Sequence, residues 1–306
     1  MKKPLRDYPL KWKDKHNIYS NDIEGEIWLT FENLSGVKYL ESIIKKRVNS
    51  KYFKHLTNSV ISNINDAKGA QQIQVLKDED VSGIIDEAQN IILQAKDIYF
   101  AARSLPLLSK PILLFYCFEK LAELLYFMSY KKTKYRHGLE YDKQTHVITI
   151  CKNGLFANLH NSQSTDPFYQ NEPKIKLEDI IMCGPINQLE LDTQAYYEFT
   201  HQVKTVNNDN TEMISLTELD REFIFLYGLS ILARYNVKDW SRILSGIDNP
   251  LSNNIKVINH LRTYLRTVGL LYPNLILSEI YLMKLSIYFP MKLMSTEFED
   301  YDDKVL

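Results

Sequence analysis

Between Lys131 and His137 the chain reads KKTKYRH, which packs four cations, one tyrosine and one histidine into seven residues. A segment of this kind can grip a phosphate, by charge from Lys131, Lys132, Lys134 and Arg136 and by stacking from Tyr135. The same cations would also complement the negative C-terminal end of a preceding helix, and His137-Gly138 is a natural helix terminator. Both readings stand at this level. Arg136 and His137 are the candidate catalytic residues, because a histidine beside a guanidinium can move a proton near neutral pH. Adjacent residues of a helix project about 100° apart, so the two would share one phosphate only from a distorted turn.

The second candidate is Arg234. No charge occurs between Glu222 and Arg234, so the segment is too apolar to be exposed and its guanidinium needs a carboxylate. From Ile112 to Met128 the only charges are Glu119, Lys120 and Glu123, spaced three and four residues apart on one narrow strip. A buried polar cluster of Glu119, Glu123 and Arg234 is therefore expected, either as a structural ion pair or as part of a ligand site.

Other chemistries find less support. The sequence has no phosphate loop, no dinucleotide fingerprint, no GxSxG elbow and no histidine pair at metal-ligand spacing, so no metal or cofactor is expected. Asp166, Glu172 and Lys174 in DPFYQNEPK resemble a nuclease core only loosely, since Pro173 falls where a central strand should run. Cys117, Cys151 and Cys183 are odd in number and widely spaced, which suits reduced thiols in the cytoplasm.

These residues must be positioned by a mainly α fold, a helical core with a small inserted antiparallel β subdomain (α+β). The spacing predicts a helix starting behind Pro111 and running to Met128, apolar all round and hence buried, with the basic turn at its end. A helix over about Ser82 to Arg103 joins it through SLPLLSKP as an antiparallel hairpin. The expected organisation is an N-terminal region over residues 1–82 with a short strand in GEIWLTFENL and a helix capped by Ser35. A central helical hairpin follows over 83–140, then an inserted β-rich segment over 141–216. A C-terminal helical region over 217–306 packs with the hairpin as one core. Within the insertion, THVITICK, Asn153-Gly154 and LFANLH suggest a β-hairpin, followed by a short helix at Leu177 to Met182 and a strand, turn, strand unit before Leu216. Thr217 with Asp220 predicts a capping box, and further helices are expected at Val237 to Ser245, Leu251 to Val268 and Pro273 to Tyr288. Residues 52–64 suggest one more short helix.

The 306 residues carry 45% hydrophobic side chains and a formal charge of −1. That balance argues against a whole surface built for nucleic acid or for an anionic membrane. The basic start and the acidic EFEDYDD near the end read as solvated termini, and DYPLKWKDKHN offers no apolar signal core. The chain is expected in the cytoplasm, without a membrane partner.

The run LPLLSKPILLFYCFEKLAELL, the His137-Gly138-Leu139 closing it, CKNGLF at Cys151 to Phe156 and LSILARYNVKDW from Leu229 to Trp240 resemble, in this order, the YaaC-like proteins of bacteria. Two apolar helices followed by a basic, histidine-containing turn are similar in outline to HEPN modules, helical units of RNA-cleaving toxins and phage-defence proteins. The resemblance implies a cytoplasmic interaction or regulatory protein, a component of a defence or toxin-like system acting through a protein partner or self-association. The alternative is a nucleic-acid or nucleotide-binding protein or ribonuclease using the Lys131–His137 turn. HEPN ribonucleases place a histidine four to six residues after an arginine, and no arginine here is followed by a histidine at that spacing.

Overall fold

The computed structural model describes residues 15–19, 22–49, 74–75, 78–128, 130–131, 136–151, 154–161, 172–182, 202–204, 213–245, 254–281 and 284–288. Its centre is α4, Lys110–Phe127, with Pro111 in the first turn as the sequence predicts. Three of its faces meet other helices. Cys117 Sγ donates to the Ala95 carbonyl of α3, Ile85–Ser104. Five residues join the two helices, so they run antiparallel. Phe115 meets Phe223 of α7, Glu218–Tyr235, edge to face at 5.3 Å. Phe118 lies flat on Tyr272 of α9, Asn254–Tyr281, with centroids 4.0 Å apart. A near-uniformly apolar helix loses least by such enclosure.

Before this core lie β1, Lys15–Tyr19, α1, Ile23–Leu34, and α2, Val37–Asn49. The expected strand in GEIWLTFENL is helical instead. Asp22 accepts the Gly25 N–H and caps α1, and the buried residues are Ile27, Trp28, Phe31 and Leu34, a helical spacing, while Leu29 faces solvent. Ser35 ends α1 rather than starting α2, because its N–H and hydroxyl both donate back into the last turn. Trp28 against Tyr99 ties α1 to α3, and Arg47, only 1% exposed, donates to the Glu279 carbonyl of α9. The short helix expected over 52–64 lies outside the described residues.

The inserted sheet is three-stranded and antiparallel, in the order β4, Leu139–Asp142, β5, Val147–Ile150, and β6, Lys174–Lys176. Val147–Ile150 is a strand as its alternation predicts, but its hairpin partner precedes it. LFANLH forms helix α5, Leu155–Asn161, not the return strand. The Leu155 and Phe156 N–H groups donate to the carbonyls of Arg136 and His137, which satisfies the start of that helix and leaves no ladder to form. Helix α6, Leu177–Met182, lies where expected and packs on α7 at Gly228, whose missing side chain admits Ile180. Two further strand pairs are β2, Gln74–Val75, with β3, Tyr130–Lys131, and β7, Gln202–Lys204, with β8, Met213–Ser215.

Helix α7 begins at the predicted capping box: Thr217 accepts the Asp220 N–H and Asp220 accepts the Thr217 N–H. The Asp220 carboxylate, fully buried, also holds His160 Nδ1 of α5 at 2.7 Å. Helix α8, Val237–Ser245, spans its predicted range, and Trp240 donates its indole N–H to the Leu108 carbonyl between α3 and α4. The two helices expected around Gly269 and Pro273 are one. Pro273 would crowd the carbonyl four residues back, and that residue is Gly269, whose bare backbone can give way while lying against Tyr99. Residues 284–288 are not helical but form β9, Lys284–Tyr288, paired parallel with β1.

Asp220 joins a cap to a buried histidine, so the two contributions separate by mutation. Thr217→Ala, which loses only the cap, is expected to lower stability to urea by about 1 kcal/mol. Asp220→Ala, which also removes the carboxylate from His160, should cost on the order of 3 kcal/mol. Equal losses would mean that the His160 contact contributes nothing.

Candidate functional site

The site begins where two glycines touch. Gly138 has φ +79°, and a Cβ on it would stand 2.8 Å from the Gly154 Cα, so neither position tolerates a side chain. This contact, with Cys151 N–H donating to the Gly138 carbonyl, clamps residues 136–138 between β5 and the start of α5. The HG and NG dipeptides were legible as punctuation, but that they meet was not.

The clamp turns His137 inward. Its Nδ1 accepts the Leu139 N–H at 3.1 Å, and its ring lies edge to face with Phe115 and 5.4 Å from Tyr227. In the neutral ring Nε2 therefore carries the proton. Burial holds its pKa below the ordinary value, and the Arg234 and Arg136 charges lower it further, against Glu140, which raises it. Arg136 points to solvent. Lys131 lies in β3, paired with Gln74, while Lys132, Lys134 and Tyr135 lie outside the described residues.

Arg234 does not bond Glu119 or Glu123. Its Nε and Nη2 donate to the carbonyl and hydroxyl of Ser230 at 3.2 and 3.1 Å, and Nη1 donates to the Tyr116 hydroxyl at 3.2 Å. The rings of Tyr116 and Tyr235 flank the guanidinium at 5.8 and 5.3 Å. Glu123 is taken by Lys120 at 2.6 Å. Glu119 keeps a raised pKa, because burial and Glu123 outweigh Lys120 and the longer-range field of Arg234. The reason is the crossing of the two helices: α7 meets α4 at Phe115, so Arg234, two turns past Tyr227, comes to the Tyr116 end rather than to the acidic strip.

Together these groups line an open cleft of about 420 Å³ between β4 with its following turn and the C-terminal half of α7. Its cationic groups are Arg234 and Lys143, and among the described residues neither ion-pairs with a carboxylate. Lys143 instead sits 4.2 Å above the Tyr235 ring. Tyr141 lies nearly parallel to Tyr235 at 6.2 Å and is held by its hydroxyl, which bonds His146 Nδ1 at 2.8 Å and accepts from Asn236 at 3.3 Å. Glu140 is the one carboxylate in the lining, and the Cys151 thiol has its pKa pushed up to about 11, mainly by burial and further by the Glu140 charge. Lys143, Tyr141, Tyr227, Tyr235 and Glu140 were not singled out by the sequence reading. For Glu140, Tyr141, Lys143 and Tyr235 the signal was the density of tyrosines beside charge in LEYDK and ARYN, and Tyr227, in an uncharged apolar run, had none.

The architecture is thus a helical core with an inserted sheet whose first strand forms one wall of a cation and tyrosine cleft. The model of the family described as YaaC-like Protein matches residues 68–190, so that segment of the chain is similar to this family. It contains the buried hairpin, the glycine clamp and the β4 wall, whereas Arg234 and Tyr235 lie beyond it. No curated protein and no solved structure matches the chain. Among the described residues no helix is long and apolar enough to cross a membrane, and no group of histidine, cysteine, aspartate and glutamate is arranged to hold a metal ion.

The surroundings of His137 have a measurable consequence. Its NMR titration midpoint is expected below 6.5, and Arg234→Met should raise it, since that charge is the second cause of the lowering. The unfolded chain takes the proton first as pH falls, so this group's contribution to stability is present above 6.5 and is lost on descending from there toward the folded midpoint. A midpoint above 6.5 would mean that the imidazole is not packed against Phe115 and Tyr227.

Proposed function

We propose that the protein is a cytoplasmic binding and regulatory protein that takes a phosphate-bearing anion in the Arg234 cleft and acts through a protein partner. The observation carrying this reading is the half-buried Arg234, fixed by Ser230 and Tyr116, with donors to spare and no carboxylate bonded to it. A guanidinium has five N–H donors in a planar fork suited to phosphate. Lys143 adds a second charge, and the neutral His137 adds an Nε2–H donor at the same lining. The basic residues Lys131, Lys132, Lys134 and Arg136, with Tyr135 among them, immediately precede His137 in the sequence and belong to the same proposal as cations that would draw the anion in.

The partner is the less anchored half of the reading. Tyr235 of the lining and Val237 two residues on are each more than two fifths exposed, as is Leu108, whose carbonyl accepts the Trp240 indole N–H, and such exposed apolar side chains offer a surface for a second protein. A role in a defence or toxin-like system rests on the outline likeness to HEPN modules alone. Cytoplasmic placement rests on cysteine usage, with Cys117 and Cys151 both free thiols.

A second reading is a HEPN-like ribonuclease, favoured by one observation: His137 lines the cleft with Nδ1 already engaged, which orients its other nitrogen. The two readings separate in one experiment. Tripolyphosphate and labelled RNA are titrated across a salt series, where affinity should fall as salt rises. Arg234→Ala should weaken binding by roughly tenfold or more. Lys96→Ala, which breaks a remote pair with Glu32, should leave it unchanged. Loss of RNA cleavage with retained binding in His137→Ala would favour the enzyme. Absence of any salt-dependent anion binding would end the phosphate reading.

A further inference from the structure

We infer that the anion taken by this cleft is a nucleoside phosphate, recognised as a single unit rather than as part of a strand. The inference rests on the phosphate reading above and adds to it what the remaining side chains of the cleft require. Phosphate alone would account for Arg234 and Lys143, but two features of the lining do not serve an anion.

The first is the aromatic platform. Tyr141 and Tyr235 lie nearly parallel, 19° apart in plane, and Tyr235 is 47% exposed. Tyr141 is held by two hydrogen bonds to its hydroxyl, from Asn236 and to His146, so its ring is set before any ligand arrives. Such a ring surface gains little from a bare phosphate and much from a planar heterocycle. Lys143 now covers Tyr235, and a cation held only by a ring can leave it for a phosphate, uncovering the face on which a base would stack.

The second is Glu140. A carboxylate in the lining of an anion site repels the ligand unless the ligand also brings hydrogen-bond donors. A carboxylate at the cleft lining offers acceptor capacity on both of its oxygens. The hydroxyl pair of a ribose, or an amino group on a base, is the donor that matches. Cations for phosphate, a ring platform and an acceptor for hydroxyl or amino groups together describe the three parts of a nucleotide. The cleft volume of about 420 Å³ lies toward the small end of ligand pockets, enough for one such unit.

The test uses the full chain at low ionic strength and compares tripolyphosphate, ribose 5-phosphate, the four nucleoside monophosphates and RNA oligomers of increasing length by calorimetry. At least one nucleotide should bind roughly tenfold or more tightly than ribose 5-phosphate, the stacking contribution of one base. Tyr235→Ala should erase that difference, read as the ratio of nucleotide to ribose 5-phosphate affinity within the variant, because loss of the ring that flanks Arg234 and Lys143 changes the phosphate contribution of both ligands alike; Tyr235→Leu serves as a second variant of similar bulk. Glu140→Gln should weaken nucleotide and ribose 5-phosphate but not tripolyphosphate. Equal affinity for ribose 5-phosphate and every nucleotide would overturn the inference and leave the phosphate reading standing. Affinity that grows with oligomer length, with no competition by mononucleotides, would overturn it in favour of a strand. Failure of all the probes, tripolyphosphate included, would overturn both.

Discussion

The enclosure of α4 is the constraint on which the rest depends. Its buried side chains, from Leu114 to Phe127, cover all of the helix but the strip through Tyr116, Lys120 and Glu123, so the fold must supply a wall for each of them. Three helices do so at named contacts: Ala95 of α3, Phe223 of α7 and Tyr272 of α9. The residues that follow α4 are carried out from the core toward the β insertion. His137 and Leu139, which follow, are held against Tyr227 of α7, and the cleft between β4 and α7 follows from how the hydrophobic core closes.

The cleft inherits its geometry from that closure. Phe115 contacts Phe223, Tyr227 and His137, so one buried ring sets the crossing of α4 on α7 and the pose of the histidine together. The glycine clamp then fixes the backbone on the other side of His137. A side chain at Gly138 or Gly154 would push the two segments apart and release both β4 and the start of α5. Core packing and site geometry are in this way one arrangement, which explains why a cationic cleft can persist without internal carboxylate partners: its charges are held by backbone, hydroxyl and ring contacts that were set elsewhere.

Much of this was legible where the signal is local. Pro111, the Thr217 and Asp220 box, the alternation of Val147–Ile150 and the bounds of Val237–Ser245 each rest on a few adjacent residues, and each is where the sequence places it. Errors arose where a local signal had two physical solutions. Ile27, Leu29 and Phe31 alternate, but Trp28 is buried too and only a helix hides both it and Phe31. Asn153-Gly154 suits a hairpin turn, yet Gly154 is needed for its contact with Gly138, sixteen positions earlier. Pro273 should end a helix, yet Asn254–Tyr281 continues through it, with Gly269 at the position four residues back. Arg234 was expected to pair with Glu119 or Glu123 and bonds Ser230 and Tyr116 instead, because which turn of α4 it faces depends on a crossing that no single segment encodes.

The same limit explains why the site residues divided as they did. Charge is conspicuous in a sequence, so the basic turn and Arg234 stand out, while a tyrosine is as often core as ligand platform. Tyr116, Tyr141, Tyr227 and Tyr235 come from three different elements and become one surface only when α4, β4 and α7 are brought together. Of these, Tyr227 is the bridge. It packs on Phe115 in the core, donates its hydroxyl to the Leu139 carbonyl in β4 and lines the cleft, and its own ionisation is suppressed mainly by burial. A residue with a foot in all three is how the YaaC-like segment, which ends before α7, is completed into a site by residues that follow it.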